Sequence, residues 1–83
     1  MKKYVVIDNW KGDSDPIETI EEAVGEAESR IPNIRLTRRE FDRYKKECEN
    51  FIYIAEVETS KPDDIGVIVA SVEITPEKLG RFY

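Results

Sequence analysis

The fold is decided by residues 51–74, which read FIYIAEVETSKPDDIGVIVASVEI. Two runs rich in β-branched and aromatic residues, 51–58 and 65–74, flank a polar segment that contains a proline. Two such runs joined by a polar loop are typical of an antiparallel hairpin. We therefore predict a hairpin whose loop covers Thr59–Asp64. One face of its first strand is expected to carry Phe51, Tyr53, Ala55 and Val57.

The residues before the hairpin predict one strand and then a helix. A β-branched and aromatic run predicts a strand from Lys3 to Trp10. The sequence Asp15-Pro16-Ile17-Glu18 has the pattern of a helix start, with Asp15 as the cap and Glu18 completing a capping box. Proline should end this helix at Pro32-Asn33. Its apolar stripe, at spacings of three and four, consists of Ile17, Ile20, Val24, Ala27 and Ile31.

A second capping box, Thr37-Arg38-Arg39-Glu40, predicts another helix that ends near Asn50. Its apolar positions are Phe41, Tyr44 and Cys48, so Cys48 is expected to be a buried and unreactive thiol. Thr75-Pro76-Glu77-Lys78 predicts one more helical turn.

Together these elements predict a single α+β domain over residues 1–83. The order is β-α-α-β-β. A two-layer sandwich, with both helices on one face of a three-stranded antiparallel sheet, lets every apolar stripe bury against another.

The composition excludes several classes of function. The chain has no histidine and one cysteine among 83 residues. Histidine is the commonest general acid–base group and metal ligand, so we predict no enzymatic activity, no metal and no cofactor. No run approaches the roughly 20 apolar residues that span a bilayer. The lack of disulfides in so small a chain favours a reducing, cytoplasmic location.

Charge is segregated along the chain, whose formal net charge is −5. Residues 8–28 carry eight acids against Lys11 alone, which gives −7. Residues 30–46 carry seven bases against Glu40 and Asp42, which gives +5. The first predicted helix is therefore acidic and the second is basic.

The acidic segment has two interpretations. It is either an ordinary solvated helix face or a row of carboxylates, spaced to resemble phosphates, that docks on a basic partner protein. The candidate partner-binding acids are Asp13, Asp15, Glu18, Glu21, Glu22, Glu26 and Glu28.

The basic segment also has two interpretations. Its side chains either pair with the acidic helix inside the molecule or contact the phosphates of a nucleic acid. The candidate nucleic-acid-binding residues are Arg35, Arg38, Arg39, Arg43, Lys45 and Lys46.

Trp10 and the Glu56–Glu58 pair are two further candidate sites. Trp10 lies in a turn beside Gly12 and is a candidate aromatic anchor for a partner, or else a cap on the core. Glu56 and Glu58 lie two apart on a strand, where two carboxylates could bind a hard cation, although exposed strand faces commonly have this pattern.

From these features we expect a non-catalytic protein-binding module. A small, acidic protein of this kind is the physical type of stoichiometric inhibitors, including those that phages and mobile elements direct against nucleic-acid enzymes in the host cytoplasm. One alternative is an accessory nucleic-acid-binding protein that uses the basic segment. Another is a structural subunit, including a homodimer, that pairs through an open sheet edge.

Overall fold

The computed structural model describes residues 2–58, 60 and 65–83. Strand β1 spans Lys2–Ile7. Helix α1 spans Ile20–Arg30 and continues into a 3-10 turn, Ile31–Asn33. The remaining elements are α2 (Arg38–Lys46), β2 (Phe51–Glu58), β3 (Ile65–Glu73) and the short helix α3 (Pro76–Leu79). The described residues contain no helix long and apolar enough to cross a membrane.

The three strands form one antiparallel sheet in the order β1-β2-β3. Val6 pairs with Ile54, and Ile52 pairs with Val72. The β2–β3 register shifts on either side of Ala55, so β3 contains extra residues and bends there. The sequence prediction of an α+β fold with a three-stranded antiparallel sheet is confirmed.

The hydrophobic core lies between one face of the sheet and the helices. Helix α1 contacts all three strands, and α2 reaches the same core through Phe41. Phe51, Tyr53, Ala55 and Val57 share a face as predicted, because the register places Ala55 beside Val5 while Val6 and Ile54 point into the core. That face is therefore opposite the core. The described residues extend over 41 × 21 × 17 Å, so the molecule is elongated.

Helix α1 begins later than predicted. Ile17 is paired with Tyr4 through two backbone hydrogen bonds of 2.7 and 2.8 Å, so this segment runs along the outer edge of β1 instead of starting a helix. Thr19 caps α1, because its hydroxyl accepts a bond from the backbone N of Glu22. The prediction that Asp15 and Glu18 form the capping box is wrong.

The buried side of α1 also differs from the predicted stripe. Ala27 and Ile31 are fully buried as predicted, and Ala23 is fully buried as well. Ile17, Ile20 and Val24 are only partly buried. Small alanines allow a helix to approach a sheet closely. The buried side of the helix therefore shares Ala27 with the predicted stripe and adds Ala23.

The second helix begins as predicted and ends earlier. Both halves of the Thr37–Glu40 capping box are present. Helix α2 ends at Lys46, and Cys48 has a left-handed φ of 57°. Cys48 is exposed, so the prediction of a buried thiol is wrong. The chain reverses at Cys48 before it reaches Asn50, where the side-chain amide donates to the carbonyl of Ile74.

The boundaries of β1, β2 and α3 lie close to the predicted ones. Strand β1 ends at Ile7, three residues before the predicted end at Trp10, because the chain turns at Asp8. The bounds of β2 agree with the prediction, and α3 is the predicted helical turn. The predicted hairpin loop, Thr59–Asp64, lies outside the described residues except for Ser60.

Candidate binding surfaces

The acidic residues predicted to bind a partner remain largely on the outside of the molecule. We use the name acidic surface for the seven candidate partner-binding acids, Asp13, Asp15, Glu18, Glu21, Glu22, Glu26 and Glu28. Its exposed members are Asp13, Asp15, Glu18, Glu21, Glu22 and Glu28. Glu26 is half-buried and accepts a 3.2 Å bond from Nε of Arg30. Asp13, Asp15 and Glu26 line one shallow cleft of about 390 Å³ with Arg30.

Among the described cations, few lie within ion-pair distance of the acidic surface. Glu18 lies 3.8 Å from Nζ of Lys3, and Glu28 lies 4.0 Å from Nζ of Lys78. Exposed pairs of this length contribute little to stability, roughly 0–1 kcal/mol. Among the described residues, no ion pair involves Asp13, Asp15, Glu21 or Glu22. These four carboxylates are therefore available to a partner.

One charge pair, Asp8 with Arg30, is structural. Nη1 of Arg30 lies 2.5 Å from Oδ2 of Asp8, and both side chains are almost fully buried. The same Nη1 donates to the carbonyl of Gly12 at 2.8 Å. Oδ1 of Asp8 accepts bonds from the backbone N atoms of Trp10, Lys11 and Gly12. The pair fixes the turn that follows β1.

Burial by itself would raise the pKa of Asp8. The hydrogen bonds from the Lys11 backbone and from Arg30 outweigh that effect and hold the pKa below its ordinary value. No local sequence pattern indicates this pair, because the partners are 22 residues apart. Because Asp8 and Arg30 pair with each other, one acid of residues 8–28 and one base of residues 30–46 are not available to a partner.

The basic residues predicted to contact phosphates are all exposed. Arg39, Arg43 and Lys46 follow i, i+4, i+7 spacing, so they share one side of α2. Arg38 pairs with Asp42 at 3.4 Å, an exposed contact within the helix. Among the described residues, no ion pair links α2 to α1. Arg30 is therefore the basic-segment residue that pairs with the acidic segment, and the bases of α2 remain unpaired with α1 in the described structure.

The structure adds C-terminal residues to the basic side of the molecule. The backbone N of Tyr83 donates to the carbonyl of Leu36 at 2.9 Å, which returns the tail to the start of α2. Arg35 and Arg81 both lie over the Tyr83 ring, at 5.5 and 5.1 Å from its centroid. A hydrogen bond from Arg81 and the charge of Arg35 lower the pKa of the Tyr83 hydroxyl. We define the basic surface as Arg35, Arg38, Arg39, Arg43, Lys45, Lys46 and Arg81.

The predicted anchor, Trp10, is half-buried and packs against the core. Its ring meets Tyr44 edge-on with centroids 5.3 Å apart. It also lines a cleft of about 440 Å³ together with Lys11, Arg30 and Arg35. Its role as an anchor stays a prediction.

Within the described residues, the acidic and cysteine side chains do not form a metal-binding cluster. No group of three or more acidic or cysteine side chains in the described part of the chain could hold a metal ion. Glu56 lies 3.1 Å from Nζ of Lys2, so this carboxylate has a cation of its own. Comparison with known proteins found no matching family model, no matching curated protein and no matching solved structure.

Proposed function

We propose that this chain is a non-catalytic protein-binding module whose acidic surface docks on a partner protein with a basic surface. The observation that supports it is the set of four acids, Asp13, Asp15, Glu21 and Glu22, that no described cation neutralises. Uncompensated charge of one sign attracts a partner of the opposite sign and guides its approach.

The proposal extends to the kind of partner. A protein surface that binds nucleic acid is basic and accepts a row of negative groups. Carboxylates along α1, such as Glu21 and Glu28 at i, i+7, offer such a row on a rigid support. The module would then compete with nucleic acid in the cytoplasm, as stoichiometric inhibitors of phage or mobile-element origin do.

A competition experiment tests this function. The probes are several non-sequence-specific DNA-binding proteins, each loaded with fluorescent duplex DNA. The chain is expected to displace the DNA stoichiometrically, and less effectively as salt rises. Replacing Glu21, Glu22 and Glu28 with lysine should weaken displacement by about tenfold or more. Glu26 is left intact because it supports Arg30.

The matched control makes the same charge change elsewhere. Glu47, Glu49 and Glu77 are exposed acids outside the acidic surface. Replacing these three with lysine should leave displacement nearly unchanged if the location of the charge matters. Equal losses in the two triple variants, or no displacement by the wild type, would contradict the proposal.

A second candidate function is direct binding of nucleic acid by the basic surface. The observation that favours it is that Arg81 and the Tyr83 ring join Arg35, because Arg side chains beside an exposed aromatic ring can hold a phosphate and stack a base. A gel shift at low salt with random duplex and single strands tests it. Replacing Arg35 and Arg81 with glutamine should weaken a shift, and no shift in the wild type would reject this candidate.

A further inference from the structure

A cleft of about 440 Å³ lies between the turn after β1 and the end of α1. One wall consists of Asp8, Trp10 and Lys11, and the other comes from the segment 26–35. Clefts that bind small molecules measure about 300–1,000 Å³ and combine an apolar surface with a few polar groups. This cleft therefore has the size of a small-molecule site.

The two walls of the cleft are joined by hydrogen bonds. Nη1 of Arg30 donates to Oδ2 of Asp8 at 2.5 Å and to the carbonyl of Gly12 at 2.8 Å. Both bonds connect the segment 26–35 to the turn after β1. The ring of Trp10 is held as well, because it packs against the core and meets Tyr44 edge-on. The cleft is thus formed in advance, so a ligand needs to order few groups when it binds.

The charge that remains free in the cleft is positive. Asp8 and Glu26 are its two carboxylates, and both bond to Arg30. Among the described residues, no ion pair involves Lys11 or Arg35, and both of these side chains are exposed. The cleft therefore offers two uncompensated cations in a chain whose net charge is −5. Lysine and arginine are common phosphate-binding side chains, so this arrangement favours a ligand with a phosphate.

The other groups of the cleft favour a planar ring with a polar edge. Trp10 supplies an aromatic surface, and nucleic-acid bases stack on such side chains. Asn33 lines the same cleft and is exposed. Its amide makes one described bond, from Nδ2 to the carbonyl of Ser29 at 3.4 Å, so its oxygen and one N–H remain for a ligand. An asparagine amide can bond to both a donor and an acceptor on the edge of a base.

We propose that this cleft binds a nucleotide, with the base against Trp10 and the phosphate on Lys11 and Arg35. The nucleotide is free or belongs to a single strand, since the groups that the cleft recognises are the same in both. The proposal does not rest on the docking function proposed above, because Glu26, the member of the acidic surface that lines the cleft, is bonded to Arg30. Of the basic surface it uses Arg35 alone.

Fluorescence tests the proposal directly, because Trp10 is the one tryptophan of the chain. The probes are the four deoxynucleoside monophosphates, their nucleosides, and short single strands of the same nucleotides. A stacked base should quench the emission of Trp10, and calorimetry gives the dissociation constants. At least one monophosphate should bind about tenfold or more tightly than its nucleoside, which lacks the phosphate.

The single strands distinguish the two sources of the nucleotide. Tighter binding of a strand than of its monophosphate, with the same quenching, assigns the cleft to single strands, and weaker binding assigns it to free nucleotides. No quenching by any monophosphate or strand would overturn the proposal. Equal affinity for each nucleotide and its nucleoside would also overturn it.

Removal of charge tests which residues hold the phosphate. Lys11→Gln combined with Arg35→Gln should raise the dissociation constant of the monophosphate by about tenfold or more. The matched control is Lys45→Gln combined with Arg81→Gln, which also removes one lysine and one arginine, both exposed and outside the lining of the cleft. This control should bind the monophosphate like the wild type, and circular dichroism checks that both variants fold. Equal losses in the two variants would overturn the proposal, because the nucleotide would then follow the overall charge.

Capped phosphotyrosine tests whether the ligand is a nucleotide. It has a planar ring and a phosphate but lacks the polar edge of a base. The wild type should therefore bind it more weakly than the best monophosphate. Equal or tighter binding of phosphotyrosine would overturn the assignment of the cleft to nucleotides.

Discussion

The two outer edges of the sheet differ in whether another segment of the described chain is hydrogen-bonded to them. Along β1 the chain turns at Asp8 and returns, so that Ser14 and Ile17 form hydrogen bonds with the backbone groups at the outer edge of this strand. Along β3, Val67 and Ile68 are the most exposed large aliphatic residues of the described chain. The difference teaches that covering an edge requires a segment and also an anchor for it. That anchor is the buried pair of Asp8 and Arg30.

The hydrogen bonds along the covered edge of β1 are therefore expected to be lost first when the Asp8–Arg30 pair is removed. Arg30→Met leaves Asp8 buried without its cation, and removal of one partner of a buried pair typically costs about 3–5 kcal/mol. The free energy of unfolding should fall by that amount in urea titrations. Hydrogen exchange at the Tyr4 amide, which bonds to Ile17, should accelerate.

A double-mutant cycle shows whether the pair is the cause. Asp8→Asn combined with Arg30→Met leaves no buried charge, so its loss should be smaller than the sum of the two single losses. Additive losses would mean that the two side chains act separately, and the ion pair would not be the anchor.

On the β3 side of the sheet, Gly66 lies at a close approach of β3 to β2. A Cβ built there would clash with the backbone O of Glu56, so Gly66→Ala forces the strands of the hairpin apart. Overpacking of this kind costs about 1–3 kcal/mol, which thermal or urea unfolding would detect. Gly25→Ala is the control, because its site is open and alanine stabilises a helix by about 0.5–1 kcal/mol. An unchanged free energy of unfolding in Gly66→Ala would mean that the hairpin can shift without loss of stability.

A smaller effect is expected from Ser14→Ala. The Ser14 hydroxyl accepts a 2.9 Å bond from the backbone N of Val6, so alanine leaves that amide unsatisfied. A lost bond of this type costs about 1 kcal/mol. Faster exchange confined to the Val6 amide, with the β2–β3 amides unchanged, would localise the loss to the covered edge.

The pH dependence gives the smallest effect near neutrality. The pKa of Asp8 in the folded chain lies below its ordinary value of 3.8, so the ionised form favours folding. This contribution is complete above the ordinary value and is lost as pH falls through the lower, folded value. Urea titrations from neutral to acid pH should show a steeper decline for the wild type than for Asp8→Asn. Parallel declines would contradict a structural role for the Asp8 charge.

Local patterns predicted much of the fold. The β2–β3 hairpin, the Thr37 capping box and the turn α3 each depend on residues close together in sequence. The failures depend on contacts between distant residues. Asp15-Pro16 has a helix-start pattern, but Ile17 gains two backbone bonds from Tyr4, 13 positions earlier. Competition between a local signal and a pairing of this kind cannot be weighed from sequence alone.

For the candidate surfaces, too, local patterns were predicted correctly and contacts between distant residues were not. Segregated charge was visible in the sequence, and the acids and bases named from it are exposed apart from the half-buried Glu26. Arg81 was missed because its place beside Arg35 depends on the return of the tail to Leu36. The exposure of Val67 and Ile68 depends on the strand order, which places β3 at an edge of the sheet and which the sequence does not indicate.

The elongated shape affects how the molecule moves through solution. Its Cα radius of gyration is 13.4 Å, against about 12 Å for a compact chain of this length. A particle about twice as long as it is wide experiences more hydrodynamic drag than a sphere of equal volume. A single chain should therefore elute early from a gel-filtration column and resemble a heavier globular standard, whereas scattered-light intensity would report its true mass.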